Sequence, residues 1–265
     1  MTETSSEDVL RKFCTSLHTG QLYARWKNDP RRKNVVPAVA NHRVRLVYEL
    51  TAEDVEEVCC QTEHALGEVK RADGERVAAI VDWHPDFAFT HIFHICMEQI
   101  GRLPSYQDFR AYCYHDQLGL RMLGEPARAK VREVVSSGIP ENIVRDAVRW
   151  RVGNAYYSFL REIYTVVRLR AMAIDLLVHP LADALFRVDA WTGRKVVSLR
   201  VGNKKFRQGS SSGRKTPAEQ LLADVVPGFD FSTIELAPAA KFGRVHLPSA
   251  EHISQAAARL HMNDG

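Results

Sequence analysis

The segment RVDAWTGRKVVSLRVGNKKF, from Arg187 to Phe206, decides the fold of the C-terminal half of the chain. It opens with an apolar run that is typical of a strand and that carries one acid, Asp189. Thr192-Gly193 is a turn signal, and the alternating run from Val196 to Val201 is typical of a second strand. The pattern predicts a β-hairpin that leads into a cluster of basic residues. Two functions are open for such a hairpin: it binds a metal ion and cuts a phosphodiester, or it only holds nucleic acid.

The elements on either side of the hairpin extend this pattern to an α+β domain. A long helical pattern begins near residue 141, either continuous or broken at Gly153, and the strand-like run IDLLVH follows it. After the hairpin, a helix is predicted from Thr216 to Val225, and FSTIELA is typical of a further strand. Strands with short connections form an antiparallel meander, and a helical crossover allows the last strand to lie parallel. We therefore expect a mostly helical domain over residues 1–140 and, over 141–265, a core of helix, three-stranded antiparallel meander, helix and strand.

This order of elements resembles the core of the PD-(D/E)xK nuclease superfamily, the restriction-endonuclease-like fold. In that family an acid on the second strand and an E-x-K triplet on the third hold Mg²⁺ and activate the attacking water, and a further acid often lies on the first helix. The resemblance aligns Asp189 with the strand-two acid and Ser198-Leu199-Arg200 with the triplet. The metal ligands that it implies are Asp189, Glu162 and Asp183. The catalytic residues that it implies are Asp189, Glu162, Arg200 and Lys204, with Arg200 or Lys204 on the scissile phosphate.

The triplet departs from the family's pattern. Ser198 is a weak neutral ligand where the family has a carboxylate, and Arg200 stays protonated, so it binds phosphate but cannot act as a base. The positions shortly after Gly153, where the family's helix acid often stands, are Tyr156 and Tyr157. These departures favour a protein whose nuclease site has decayed.

Three functions therefore remain open at this stage. The first is a nucleic-acid-binding protein with an active nuclease-like domain, a Mg²⁺-dependent DNA endonuclease of a defence or mobile-element system. The second is a non-catalytic subunit that docks DNA or a partner protein in a larger complex, in which Asp189 only pairs with Arg187 or Arg194. The third is a protein-only interaction module whose basic loop meets an acidic partner surface.

The charge of the chain is unevenly distributed. The net charge is +4, but residues 184–215 contain nine Lys or Arg and one acid, so this block carries +8 and the remainder −4. A basic block in a nearly neutral protein predicts a polyanion partner, here nucleic acid and first of all DNA, with a solvated face as the alternative. The loop after the hairpin offers cations for phosphates and a ring to stack on a base. The nucleic-acid-binding residues that it predicts are Lys204, Lys205, Phe206, Arg207, Arg214 and Lys215.

The composition is that of an ordinary globular protein. The 265 residues are 45% hydrophobic and 26% charged, without an apolar run long enough for a membrane span. The N-terminus lacks the pattern of a secretory signal, and an odd number of cysteines, five, predicts reduced thiols in a cytoplasmic protein. Two groups of histidines and cysteines, at 59–64 and 84–96, are more typical of core residues than of a zinc site.

Overall fold

The computed structural model describes residues 2–201, 216–236 and 238–261, with the backbone alone at residues 201 and 238–240. The chain is α+β, as predicted, and most of it is helical. It divides into two compact units. Unit 1 comprises residues 1–52, 161–241 and 246–265, and unit 2 comprises residues 53–160 and 242–245. Residues 140 and 141, between which the sequence suggested a domain boundary, both belong to unit 2.

The N-terminal helices are short, and serines begin several of them. Ser5 and Ser105 each form a capping box with the aspartate three residues later, which satisfies N–H groups that the first helical turn leaves without partners. Single 3₁₀ turns at Pro30–Arg32 and Leu46–Tyr48 and a π-helical turn at Leu120–Gly124 connect the helices. The helices are α1 (Ser6–Phe13), α2 (Leu17–Asn28), α3 (Val36–Ala40), α4 (Ala52–Gln61), α5 (Arg71–Gly74), α6 (Ala78–Val81), α7 (Phe89–Ile100), α8 (Tyr106–His115), α9 (Gln117–Gly119) and α10 (Glu125–Ser136).

Helix α11 (Glu141–Ala171) is the longest element of the protein, with 31 residues. It continues through Gly153, so the alternative of a break there is wrong. The glycine instead permits close packing within unit 2, because a Cβ at this position would lie 3.0 Å from the backbone of Ala65. In the ranges that the structure describes, none of the helices is both long and apolar enough to cross a membrane.

The C-terminal part contains one mixed sheet. Ala190 pairs with Val197 where β3 and β4 run antiparallel, and Lys195 pairs with Asp230 where β4 and β5 run parallel. The predicted strand IDLLVH contributes only an isolated antiparallel bridge between Leu177 and Trp191. Two further pairs of strands, β1 with β2 and β6 with β7, form small separate sheets. The strands are β1 (Thr4–Ser5), β2 (Arg43–Val44), β3 (Ala190–Thr192), β4 (Lys195–Val201), β5 (Asp230–Leu236), β6 (Pro238–Phe242) and β7 (Val245–Pro248).

Three short or terminal helices complete the chain: α12 (Pro180–Phe186), α13 (Ala218–Leu221) and α14 (Ala250–His261). The crossover helix α13 is shorter than the predicted Thr216–Val225. It begins at Ala218, after the N-cap residue Pro217, without a hydrogen bond from a capping side chain.

An aromatic cluster joins the N-terminus of the chain to the mixed sheet within unit 1. The ring of Phe13, at the end of α1, lies 5.8 Å from that of Phe186 on α12 and 5.3 Å from that of Trp191 on β3. All three side chains are almost completely buried. This packing holds α12 against β3, and the segment between these two elements carries Asp189.

Candidate functional site

Asp189 is presented by a sharp turn between α12 and β3. Arg187 ends α12 in the left-handed conformation (φ 59°), and its N–H donates to the carbonyl oxygen of Asp183 at 3.0 Å. Val188 is fully buried. Oδ2 of Asp189 then accepts a hydrogen bond from the N–H of Leu199 at 2.5 Å. A left-handed arginine costs about 1–2 kcal/mol, so the neighbouring contacts must hold this turn in place.

The open end of the hairpin brings the triplet close to Asp189. The ladder of β3 and β4 ends where Ala190 pairs with Val197, and just beyond it the N–H of Leu199 donates to Asp189. Ser198 is half-buried, and Arg200, two residues further along β4, is exposed. The Ser198-Leu199-Arg200 triplet therefore lies next to the acid, at the end of the hairpin that faces away from the turn.

Two further acids accompany Asp189: Glu162 from α11 and Asp183 from α12. All three residues are half-buried, so each keeps some contact with solvent. Burial is the main reason that the pKa of Glu162 is raised well above its usual range, and the charges of Asp189 and Asp183 add to this effect. Burial also raises the pKa of Asp189, followed by the charge of Asp183. The three acids that the sequence analysis named as metal ligands thus lie close enough for their charges to interact, and we call Glu162, Asp183 and Asp189 the acidic site.

Positive charges and one backbone amide lower the pKa of Asp189 and so oppose the effect of burial. The N–H of Leu199 and the charges of Arg200 and Arg187 lower the pKa of Asp189, without offsetting burial. Within the described part of the chain, neither arginine approaches Asp189 closely enough to form an ion pair. Arg194 donates two hydrogen bonds to the carbonyl oxygen of Gly228, at 2.8 and 3.1 Å. The structural alternative of an Asp189–Arg194 ion pair is therefore wrong, and Arg187 acts through its charge alone.

The donor chemistry of the acidic site suits Mg²⁺. This ion prefers hard oxygen ligands, and proteins usually hold it with one or two carboxylates while waters and substrate phosphates supply the rest. Glu162 and Asp189 provide two carboxylates whose charges interact, and Ser198 adds a neutral oxygen. Among residues 2–201, 216–236 and 238–261, no three histidine, cysteine, aspartate or glutamate side chains are arranged to hold a metal ion by themselves.

Tyr156 and Tyr157 stand where the resemblance predicts an acid on the helix. Both have structural roles in unit 2. The hydroxyl group of Tyr156, which is fully buried, donates to the carbonyl oxygen of Pro104 at 3.0 Å. The hydroxyl oxygen of Tyr157 accepts from the N–H of Ala65 at 3.0 Å. These contacts explain why the helix acid is absent from this part of α11, and Glu162 lies on the part of the helix that belongs to unit 1.

The histidines and cysteines in residues 59–96 are mainly core residues of unit 2. His91, His94 and Cys96 are buried on α7, and Cys59 is buried on α4. Burial raises the pKa of Cys96 to about 12, so its thiol stays protonated at neutral pH. All five cysteines are free thiols.

Several predicted residues lie outside the part of the chain that the structure describes. They are Lys204, Lys205, Phe206, Arg207, Arg214 and Lys215. The contact of Lys204 with a scissile phosphate and the nucleic-acid contacts of all six stay predictions. Comparison of the chain with models of protein families, with curated proteins and with solved structures finds no match.

Proposed function

We propose that this protein binds nucleic acid through a restriction-endonuclease-like domain in unit 1, and that the acidic site is the centre of a Mg²⁺-dependent phosphodiester hydrolase acting on DNA. The observation that carries the proposal is the interaction of the charges of Glu162 on α11, Asp183 on α12 and Asp189 in the turn before β3. Half-buried like charges destabilise a fold, and such clusters with raised pKa values are typical of functional sites.

The order and direction of the strands support the same proposal. Helix α11 is followed by the bridge at Leu177, by the antiparallel pair β3 and β4, by helix α13 and by the parallel strand β5. This is the order of helix, antiparallel meander, crossover and parallel strand that the resemblance to PD-(D/E)xK nucleases implies. In that family the site lies at the second and third strands, which correspond to β3 and β4.

Each side chain has a role that follows from its chemistry. Asp189 and Glu162 would hold Mg²⁺, which when bound polarises the phosphate and stabilises the charge that develops on the attacking and leaving oxygens. Arg200 is exposed and suited to bind a phosphate through two parallel hydrogen bonds. Burial raises the pKa of Glu162, so the positive charge of a bound Mg²⁺ would favour the ionised form that serves as a ligand. Lys204 remains the predicted second contact to the phosphate.

A second candidate function is a non-catalytic docking subunit for DNA or for a partner protein. The observation that favours it is the triplet itself, because Ser198 lacks the carboxylate charge and Arg200 lacks a transferable proton at neutral pH. In this function the basic residues of the loop after β4 still bind phosphates, and the acidic site no longer acts on the substrate.

The experiment is a cleavage assay with the full chain on duplex DNA, single-stranded DNA and RNA, with Mg²⁺ or Mn²⁺. We expect Asp189→Asn to lower the rate at least about 100-fold, because it removes a metal ligand. Asp224→Asn is the matched control: it makes the same chemical change at an exposed acid of unit 1 and should leave the rate unchanged. Wild-type protein that cleaves none of these substrates with either metal ion would rule out hydrolysis.

A binding assay then tests the docking function. If the protein docks DNA, the affinity should fall with salt, and neutralising Lys204, Lys205 and Arg207 together should reduce the slope against log salt concentration by about 3 on duplex DNA. A wild-type protein that neither cleaves nor binds nucleic acid at about 50 mM salt would exclude both functions and leave the protein-only interaction module.

A further inference from the structure

Unit 2 carries an open cleft whose charged lining is mostly basic. The cleft lies along the π-helical turn Leu120–Gly124 and α10 and has a volume of about 530 Å³. Arg121, Arg128 and Arg132 line it, together with Glu125, Pro126 and Ala129. The three arginines are exposed. We call this surface, defined by Arg121, Arg128 and Arg132, the arginine cleft.

The arginines of this cleft differ from several other arginines of the same unit in their lack of acidic partners. Arg71, Arg110 and Arg145 pair with Glu75, Glu63 and Glu141, at 2.6 to 3.0 Å. Within the described residues, none of the three cleft arginines forms an ion pair, and Glu125 pairs with none of them although it lines the same cleft. Three full positive charges beside one acid repel each other. An anionic ligand would relieve this repulsion.

The spacing of the arginines suits a ligand with repeated charges. Arg128 and Arg132 are one turn apart on α10, and Arg121 lies seven residues before Arg128 on the same side of the helical path. At a rise of about 1.5 Å per residue, the row from Arg121 to Arg132 is about 16 Å long. A stacked nucleic-acid strand rises about 3.4 Å per nucleotide, so about five of its nucleotides span this length.

An exposed aromatic ring lies next to Arg128 of the cleft. Tyr114, near the end of α8, is 53% exposed, and the guanidinium group of Arg128 lies 5.4 Å from the centre of its ring. Gly119 and Gly124 allow α8 and the π-helical turn to approach closely, since a Cβ at either would lie 2.3 or 2.4 Å from a backbone oxygen of α8. This packing holds the end of α8, which carries Tyr114, against the π-helical turn. An acidic peptide or free phosphate would use only the charges, whereas an unpaired base can also stack on the ring.

We propose that the arginine cleft of unit 2 is a second nucleic-acid-binding surface, which holds the phosphates of a single strand on Arg121, Arg128 and Arg132 and stacks a base on Tyr114. This surface is separate in sequence and in structural unit from the predicted basic loop after β4. The inference rests on the proposed function for its partner, nucleic acid, but not on hydrolysis or on the acidic site.

The test compares charge-neutralised variants of the full chain. Fluorescence anisotropy would measure the affinity for a 30-nucleotide single strand and for the corresponding duplex over a series of salt concentrations. The test variant is Arg121→Gln/Arg128→Gln/Arg132→Gln. The matched control is Arg71→Gln/Arg110→Gln/Arg145→Gln, which removes the same charge from exposed, ion-paired arginines of the same unit.

We expect the cleft variant to bind the single strand at least tenfold more weakly at about 0.1 M salt, with a slope against log salt concentration that is reduced by about 2. The control should retain most of its affinity. A control that loses as much as the cleft variant would show a general effect of net charge and overturn the inference, as would a cleft variant that binds like wild type.

The variant Tyr114→Leu tests whether the cleft recognises nucleic acid or any polyanion. We expect about tenfold weaker binding of the single strand and little change for the duplex, because only unpaired bases stack on the ring. Equal affinities of this variant and wild type for the single strand would overturn the stacking role. A variant in which Lys204, Lys205 and Arg207 are neutralised tests the two surfaces independently. If this variant binds like wild type while the cleft variant does not, the predicted contact of the loop is wrong and the arginine cleft is the binding surface.

Discussion

The acidic site of unit 1 and the arginine cleft of unit 2 both gather like charges, but they do so in different environments. Glu162 and Asp189 are half-buried, and burial raises the pKa of both. The cleft arginines are exposed, and a guanidinium group keeps its charge in proteins. Burial therefore favours the uptake of protons by the carboxyl groups, whereas the guanidinium groups keep their charge.

This difference assigns the two regions different kinds of ligand. A half-buried acid cluster gains free energy from a proton or a compact cation, both of which fit a confined space. An exposed arginine row gains from an extended polyanion, and salt weakens this attraction because the charges are accessible. The acidic site should therefore respond to pH and Mg²⁺, and the arginine cleft to ionic strength.

The largest effect is expected from neutralising the acidic site. The double variant Glu162→Gln/Asp189→Asn should raise the free energy of unfolding at pH 8, because each unit by which burial raises the pKa of Asp189 costs the ionised protein about 1.4 kcal/mol, and burial raises the pKa of Glu162 as well. A raised pKa means that the folded state binds more protons than the unfolded state. Wild-type stability should therefore fall as the pH rises from about 4 through the raised pKa values, and the variant should lack this fall.

Urea denaturation followed by tryptophan fluorescence at pH 5 and pH 8 measures this difference. Glu219→Gln/Asp224→Asn makes the same chemical changes at exposed positions of unit 1 and should follow the wild-type profile. About 10 mM Mg²⁺ should stabilise wild type at pH 8 and leave the double variant unchanged, as expected for a ligand that binds only the folded state. A wild-type stability that is flat between the two pH values would contradict the charge repulsion on which the comparison depends.

A smaller effect is expected from Gly124→Ala, which disturbs the packing beneath the arginine cleft. The new Cβ would lie 2.4 Å from the carbonyl oxygen of Cys113, a backbone atom that cannot move aside easily. We expect a loss of about 2 kcal/mol in the free energy of unfolding, together with weaker binding of single-stranded DNA as Tyr114 and Arg128 move apart. Gly20→Ala is the control, because its Cβ meets nothing within 4 Å and alanine favours the helix by up to about 1 kcal/mol. Equal stabilities of the two variants would show that the close approach is not needed.

Sequence patterns predicted the long elements better than the short ones. Helix α11, strands β4 and β5 and their pairing directions follow from periodicity and from the length of the connections. The run IDLLVH alternates because Ile174, Leu176 and Val178 are buried, yet only Leu177 joins a strand ladder, by a single bridge. Burial was therefore predictable, while the backbone hydrogen bonds were not. The run ALFRVDAW, residues 184–191, has the composition of a strand, yet residues 184–186 belong to helix α12, since so short an apolar run has no decisive period.

The candidate sites were predictable as residue types and not as arrangements. Glu162, Asp183 and Asp189 were selected as acids near the hairpin, but their mutual effect on pKa depends on tertiary packing. The arginine cleft was missed, although Arg121, Arg128 and Arg132 lie on one side of a helical pattern. The feature that distinguishes the cleft is the absence of ion-pair partners for its arginines. This feature can be recognised only from the three-dimensional positions of Glu125 and of the neighbouring acids.

The smallest effect concerns Arg187, the left-handed residue that presents Asp189. Glycine relieves the backbone strain at this position and should stabilise the protein by about 1 kcal/mol at pH 5, where protonated Asp189 no longer needs a nearby positive charge. At pH 8 the gain from Arg187→Gly should be smaller, because the variant also loses the charge that lowers the pKa of Asp189. Ala173→Gly is the matched control: Ala173 is the other non-glycine residue with a positive φ (64°) among those that the structure describes, and it carries no charge. The gain in the free energy of unfolding from Ala173→Gly, measured by urea denaturation, should be the same at pH 5 and pH 8. If the gain from Arg187→Gly is equally independent of pH, Arg187 acts on the acidic site only through the shape of the turn, and the charge balance around Asp189 belongs to Arg200 alone.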